Sequence, residues 1–133
     1  MSAREWTVRI KAPVPWLNVN QRKDRRAQAG DVKQWRRAGY TFSRAAMVPR
    51  IDLADVTALV RFPDDHVRRD APNVYPSIKA AVDGALVDAG VVADDNDSYV
   101  TALHIVPGPP IPVRPYGPAG ELVLTIKEVV PDA

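Results

Sequence analysis

The sequence has no cysteine, and only two histidines and two phenylalanines among 133 residues. Without cysteine there is no disulfide, no thiolate metal site and no cysteine nucleophile. With histidine confined to His66 and His104, and no serine set in a nucleophile-elbow pattern, neither a hydrolytic triad nor a histidine-rich zinc site is expected. No phosphate-binding or dinucleotide glycine fingerprint occurs. No apolar run approaches the ~18 residues of a membrane span, and no basic-then-apolar segment opens the chain, so the expectation is a cytoplasmic protein with no membrane association. The length is that of a single domain over residues 1–133, enough to bury an ordinary hydrophobic core.

Charge is plentiful and unevenly placed. Residues 1–69 carry 15 basic and seven acidic side chains and residues 70–133 carry three basic and nine acidic, so the net +2 conceals halves of +8 and −6. Between residues 20 and 50 nine basic groups face two acidic ones, and most are arginine, which suits bidentate phosphate contact. A basic half joined to an acid-rich half fits a polyanion ligand beside a divalent-cation site, and it equally fits a solvated helix face followed by a charged loop.

The periodicities read as β-α-β-α-β-β, an α+β domain with a small mixed sheet and helices packed on it. Trp6, Val8 and Ile10 alternate with polar residues over Glu5–Lys11, a strand closed by Pro13 and Pro15. Residues 16–30 show no period and read as an exposed loop. From Asp31 as N-cap, Val32, Trp35, Gly39, Phe42 and Ala46 form a helical stripe ending before Pro49, with Trp35 and Phe42 as core and Lys33, Arg37, Tyr40 and Arg44 on the outer face. Val56, Ala58, Val60 and Phe62 share one face of a second strand. Ile78, Ala81, Val82, Ala85, Leu86 and Ala89 mark a second helix, with Asn73 as N-cap, Pro76 in the first turn and Gly90 just past the end. Tyr99–Val106 alternates as a third strand on which His104 reads as buried or half-buried. Six prolines from Pro107 to Pro118 make a connection too long for a tight hairpin, and a last strand starts at Glu121.

What remains for chemistry is carboxylate. Residues 64–73 contain Asp64, Asp65, Arg68, Arg69 and Asp70 where a strand gives way to a helix, and Asp94-Asp95-Asn96-Asp97 follows the end of that helix. The two segments approach one another only if the chain doubles back after the helix. Gathered hard oxygen ligands are what Mg²⁺ requires, and beside lysine and arginine they suit phosphodiester hydrolysis. The plainer readings are a solvated acidic turn for Asp94–Asp97, surface solubility for Arg68-Arg69, and an i,i+4 ion pair for Lys79 and Asp83.

Arg68-Arg69-Asp70-x-x-Asn73, Lys79-Ala-Ala-Val-Asp83, Asp88-Ala-Gly90-Val-Val and Asp94-Asp95, in that order, resemble the RusA family of Holliday-junction resolvases. Asn18 and Asn20 after the first strand, and the closing strand Glu121–Lys127, resemble the ends of that family. The likeness covers nearly the whole chain and is most specific in the block from Arg68 to Asp95. It implies a homodimeric, Mg²⁺-dependent endodeoxyribonuclease, with Mn²⁺ as a substitute ion, that binds four-way DNA junctions and cuts two strands symmetrically in recombination and repair. A two-fold dimer presents one site to each of two equivalent strands. Carried over by position, Asp70 and Asp95 are the catalytic metal ligands, Asp94 is an auxiliary carboxylate, and Lys79 is the catalytic cation at the scissile phosphate or attacking water. Arg22, Arg25, Arg26, Lys33, Arg37, Arg44, Arg68 and Arg69 supply DNA backbone contacts.

One position departs from the pattern. The family places a second aspartate two residues after the first, and here that residue is Pro72. The spacing from Asn73 to Lys79 is also about one helical turn longer than in the pattern. Asp83, one turn beyond Lys79, is the candidate replacement ligand. The alternative is a catalytically weakened relative that binds junctions without cutting them efficiently. A third reading is a protein-interaction module that uses the proline-rich arm 107–118.

Overall fold

Four alternating stretches fold as the strands of one mixed sheet in the computed structural model, which describes residues 4–19, 24–114 and 117–130 and leaves the side chain of Arg25 aside. The strands are β1 (Glu5–Lys11), β2 (Ala54–Arg61), β3 (Val100–Pro107) and β4 (Glu121–Glu128), in the order β1-β4-β2-β3. β4 runs antiparallel to both β1 and β2, and β2 and β3 are parallel. Val8 and Ile10, Ala54, Val56, Ala58 and Val60, and Leu122, Leu124 and Ile126 all project to one face, each at most 1% exposed. That period of two makes the helix-facing side of the sheet, and the fold is α+β as expected.

The parallel pair requires a crossover, which a helix supplies. The chain between β3 and β4 is long for a related reason. β3 is an edge strand while β4 lies inside the sheet, so the connection must pass the end of β2. It is tied there: Ile111 donates its N–H to the Phe62 carbonyl at 2.9 Å, and Asp64 donates to the Ile111 carbonyl at 2.8 Å. His104 corrects the expectation of burial. It falls on the opposite face from Val56 and Ala58, more than half exposed, with Nε2 3.1 Å from Asp55.

Helix α1 covers Arg25–Ala45, and its cap is Asp24, whose carboxylate accepts from the Arg26 N–H, rather than Asp31. The first turn and a half carries no buried side chain among those described, so hydrophobic period could not reveal it, although Arg, Ala and Gln all favour helix. The exposed loop expected over residues 16–30 is therefore corrected at both ends. At its start Trp16 stacks 4.7 Å from the fully buried Trp35 and meets the edge of Phe62 at 5.4 Å. Leu17 is buried and donates its N–H to the Ser77 hydroxyl at 2.7 Å. Removing a ring as buried as Trp35 costs about 3–5 kcal/mol.

The second helical segment is composite. A 3₁₀ turn over Ala71–Val74 leads into α2 (Tyr75–Asp83), and a π turn over Gly84–Asp88 extends it. Asn73 lies inside the 3₁₀ turn, so it does not cap α2; Val74 holds that position with no side-chain bond. Pro76 sits in the first turn, and the expected stripe from Ile78 to Ala89 is buried. Gly90 takes φ +76°, the left-handed conformation that ends a helix.

Two glycines set how α1 and α2 cross. A Cβ on Gly39 would run into the Ala81 carbonyl, and one on Gly84 into the Arg36 carbonyl. The backbones thus touch, and the buried Ser43 hydroxyl adds a hydrogen bond to the Ala85 carbonyl at 2.7 Å. Among the described residues no helix is long and apolar enough to cross a membrane.

Candidate functional site

After Gly90 the chain is pinned by Val91 and Val92, both essentially fully buried, with their N–H groups on the Leu86 carbonyl at 2.8 and 3.1 Å. Ile51 donates to the Val91 carbonyl at 2.8 Å, which anchors this reversal to the segment before β2. The chain then doubles back along α2, and the acidic turn emerges beside the middle of the helix. There the Lys79 ammonium donates to Asp83 Oδ1 at 2.7 Å and to Asp95 Oδ2 at 2.6 Å.

Two carboxylates around one ammonium leave the cluster with a net negative charge. Partial burial of Lys79 works against its charge, but the hydrogen bonds and charges of Asp83 and Asp95 outweigh it and raise the pKa above the ordinary lysine value. Asp95 is held below the ordinary aspartate value, first by the hydrogen bond from Lys79 and then by its charge. An ammonium has three donors, and among the described residues only two are used. Beside the cluster lies a cleft of about 180 Å³, walled by α2, by the start of β3 and by the acidic turn.

Arg36 reaches the same region from α1. It donates to both oxygens of Asp88 at 2.6 and 2.8 Å, and this bonding, with the charges of Asp83 and Asp95 in support, raises its pKa. The sequence had marked Arg36 only as part of a basic segment. Asp97, marked as part of the acidic turn, also lines the cleft; Tyr75 and Thr101 line it too and went unmarked, because their proximity to Lys79 is a product of the crossover and not of spacing.

The other expected site residues are dispersed. Asp94 turns into its own loop, accepting from the Asp95 N–H at 2.8 Å and from Asn96 at 3.5 Å. Asp70 is exposed at the mouth of the 3₁₀ turn, and among the described residues no side-chain hydrogen bond or ion pair joins it to Lys79, Asp83 or Asp95. Pro72 stands within that turn, contributing ring and no carboxylate. Arg69 donates two bonds of 2.8 Å to Asp65 and lies over the Phe62 ring, so it is committed within the fold. The Arg69 bonds hold the Asp65 carboxyl down at about 2. Arg68 is exposed and, like Arg26, Lys33, Arg37 and Arg44 on the outer face of α1, has no ion pair among the described residues. Arg22 and Asn20 lie outside the described residues, as does the side chain of Arg25.

Do these residues fit a divalent ion? Mg²⁺ is usually held by one or two carboxylates, its remaining ligands being water and substrate phosphate. Asp83 and Asp95 each give one oxygen to the Lys79 ammonium, so an ion beside it would take the second oxygen of each, and Asp95 remains 43% exposed. That donor set fits an open two-carboxylate site. It is not a closed cage, since among the described residues no three carboxylate or imidazole groups converge. No protein-family model matches this chain, and no curated protein matches it either.

Proposed function

We propose that this protein binds four-way DNA junctions and cuts them as a Mg²⁺-dependent endodeoxyribonuclease, acting as a homodimer. The observation that carries the reading is Lys79 held between Asp83 and Asp95 at a solvent-open cleft, with the arginine-rich helix α1 alongside. These are the residues of the motif block that resembles RusA resolvases, brought together from positions 16 apart in sequence.

Each group has a role that follows from its chemistry. The third N–H of Lys79 is available to a phosphate oxygen, and its raised pKa keeps it charged at neutral pH. Asp83 and Asp95 fix the ammonium in place from both sides. With their other oxygens they would also hold the Mg²⁺ ion, which when bound activates water and offsets charge on the scissile phosphate. Lys33, Arg37 and Arg44 lie along the exposed face of α1 and grip the backbone without reading sequence, and Arg68 adds to this from the loop before α2. Binding by such contacts weakens steeply with salt.

A second reading is supported by Pro72 and by Asp70, which stands apart from the Lys79 cluster: a relative that binds junctions and cuts them poorly. One experiment separates the two. Purified protein is mixed with a labelled synthetic four-way junction in Mg²⁺ and in Mn²⁺. Symmetric nicking that Asp95→Asn abolishes while binding persists supports the nuclease. Tight, salt-sensitive binding that neither ion converts to cutting supports the binder, and no junction binding at all defeats both.

A further inference from the structure

The cleft beside Lys79 has a second wall that the phosphate chemistry does not use. Tyr75, the first residue of α2, stands one turn before Lys79 and lines the same cleft, 42% exposed. Among the described residues its ring meets no other aromatic or cationic group and its hydroxyl has no hydrogen-bond partner. A tyrosine at a helix start usually covers apolar surface or bonds through its hydroxyl when buried. This one leaves a large part of its surface open, at the edge of a concavity.

The rest of the lining is suited to a planar heterocycle. Val82, Leu86, Val100 and Leu103 give an apolar floor, while Thr101 and Asp97 bring polar groups to the rim. Apolar walls with a few convergent polar groups are the usual make-up of a small-molecule subsite. Residues at i and i+4 on a helix stand about 5–6 Å apart at Cβ. A phosphate on Lys79 therefore leaves the base of the same nucleotide within reach of the Tyr75 ring.

We propose that this cleft is a nucleobase subsite, in which one unstacked nucleotide places its base against Tyr75 and its phosphate at Lys79. The inference rests on the DNA-binding reading above and adds to it the group that holds a base out of the duplex stack. Stacking on an aromatic side chain tolerates any base, so the subsite selects an unpaired or splayed nucleotide by its state and not by its sequence. A branch point, where base pairs meet and stacking is interrupted, supplies one.

The test is photo-crosslinking in EDTA, where no cutting occurs, with the full chain and a four-way junction carrying 5-iododeoxyuridine at the branch. The expected crosslink maps by mass spectrometry to Tyr75. Tyr75→Phe keeps it, whereas Tyr75→Ala loses it and weakens junction binding about tenfold or more. Tyr75 is 42% exposed and lies outside the buried core cluster, so melting of the Ala variant is expected to stay near wild type. Junction binding by wild type with no crosslink at Tyr75, or with affinity unchanged in Tyr75→Ala, overturns the subsite and leaves the DNA-binding reading standing. Failure of the wild type to bind any junction overturns both.

Discussion

Two charge clusters sit at opposite places in this fold and are built to opposite ratios. At the start of β4, Glu121 receives Arg9 at 2.8 Å from β1 and Arg61 at 2.7 Å from β2. One well-buried carboxylate there satisfies two arginines across three strands, and it is held below the ordinary glutamate value because those bonds outweigh the cost of its burial. At α2, one lysine serves two carboxylates, Asp83 and Asp95, and keeps a donor in reserve beside an open cleft. The first cluster is saturated and cross-links the sheet. The second is negatively charged, unsaturated and reachable, which is the condition a working site must meet.

That contrast can be broken most sharply by exchanging what each cluster does. Asp95→Asn is expected to slow junction cutting by at least about a hundredfold while the melting temperature moves little, since Asp95 is 43% exposed and lies in a surface turn. Single-turnover cleavage and calorimetry on the same preparation check both halves. A variant that disturbs the scaffold beneath the site behaves in the reverse way. Gly84→Val drives a side chain into the Arg36 backbone and is expected to cost more than about 3 kcal/mol in urea unfolding, with loss of cutting only as the fold is lost. Glu121→Gln should lower stability by about 1–3 kcal/mol and leave the cutting rate of the folded fraction unchanged.

The smallest effect is in pH dependence. Asp65, bound by Arg69, has its folded pKa lowered to about 2, so the unfolded chain takes up this proton first. The stabilisation is fully present above about pH 4, the ordinary aspartate range, and is lost as pH falls towards 2. Urea midpoints measured between pH 4.5 and 2 should therefore fall less steeply in Asp65→Asn than in wild type. An equal slope in the two proteins contradicts this assignment.

How much of this was legible beforehand differs by element. All four strands and the buried stripe of α2 could be read because their side chains alternate or recur against a core. The start of α1 could not be, because none of the described side chains of residues 26–30 is buried and they leave no period. The 3₁₀ entry to α2 was missed for a related reason: Asn73 is a good capping residue by type, but the turn begins at Ala71. In the site, the Lys79–Asp83 pair follows from i,i+4 spacing alone. Asp95 joins it through a chain reversal pinned by Val91 and Val92, and Arg36 and Tyr75 enter through helix crossing and cleft shape, none of which spacing encodes. Asp70 and Arg69 carried the strongest motif signal, yet among the described residues no side-chain bond joins Asp70 to the Lys79 cluster, and Arg69 is spent on Asp65.

The unsaturated lysine is the centre of the functional reading, so Lys79→Met tests it most directly. Cleavage of a labelled four-way junction in Mg²⁺ by wild type and by Lys79→Met, each shown folded by its unfolding curve, is the measurement. The expected result is symmetric cutting by wild type and a rate at least about a hundredfold lower in the variant. Cutting by Lys79→Met at the wild-type rate would contradict a working role for the Lys79–Asp83–Asp95 cluster.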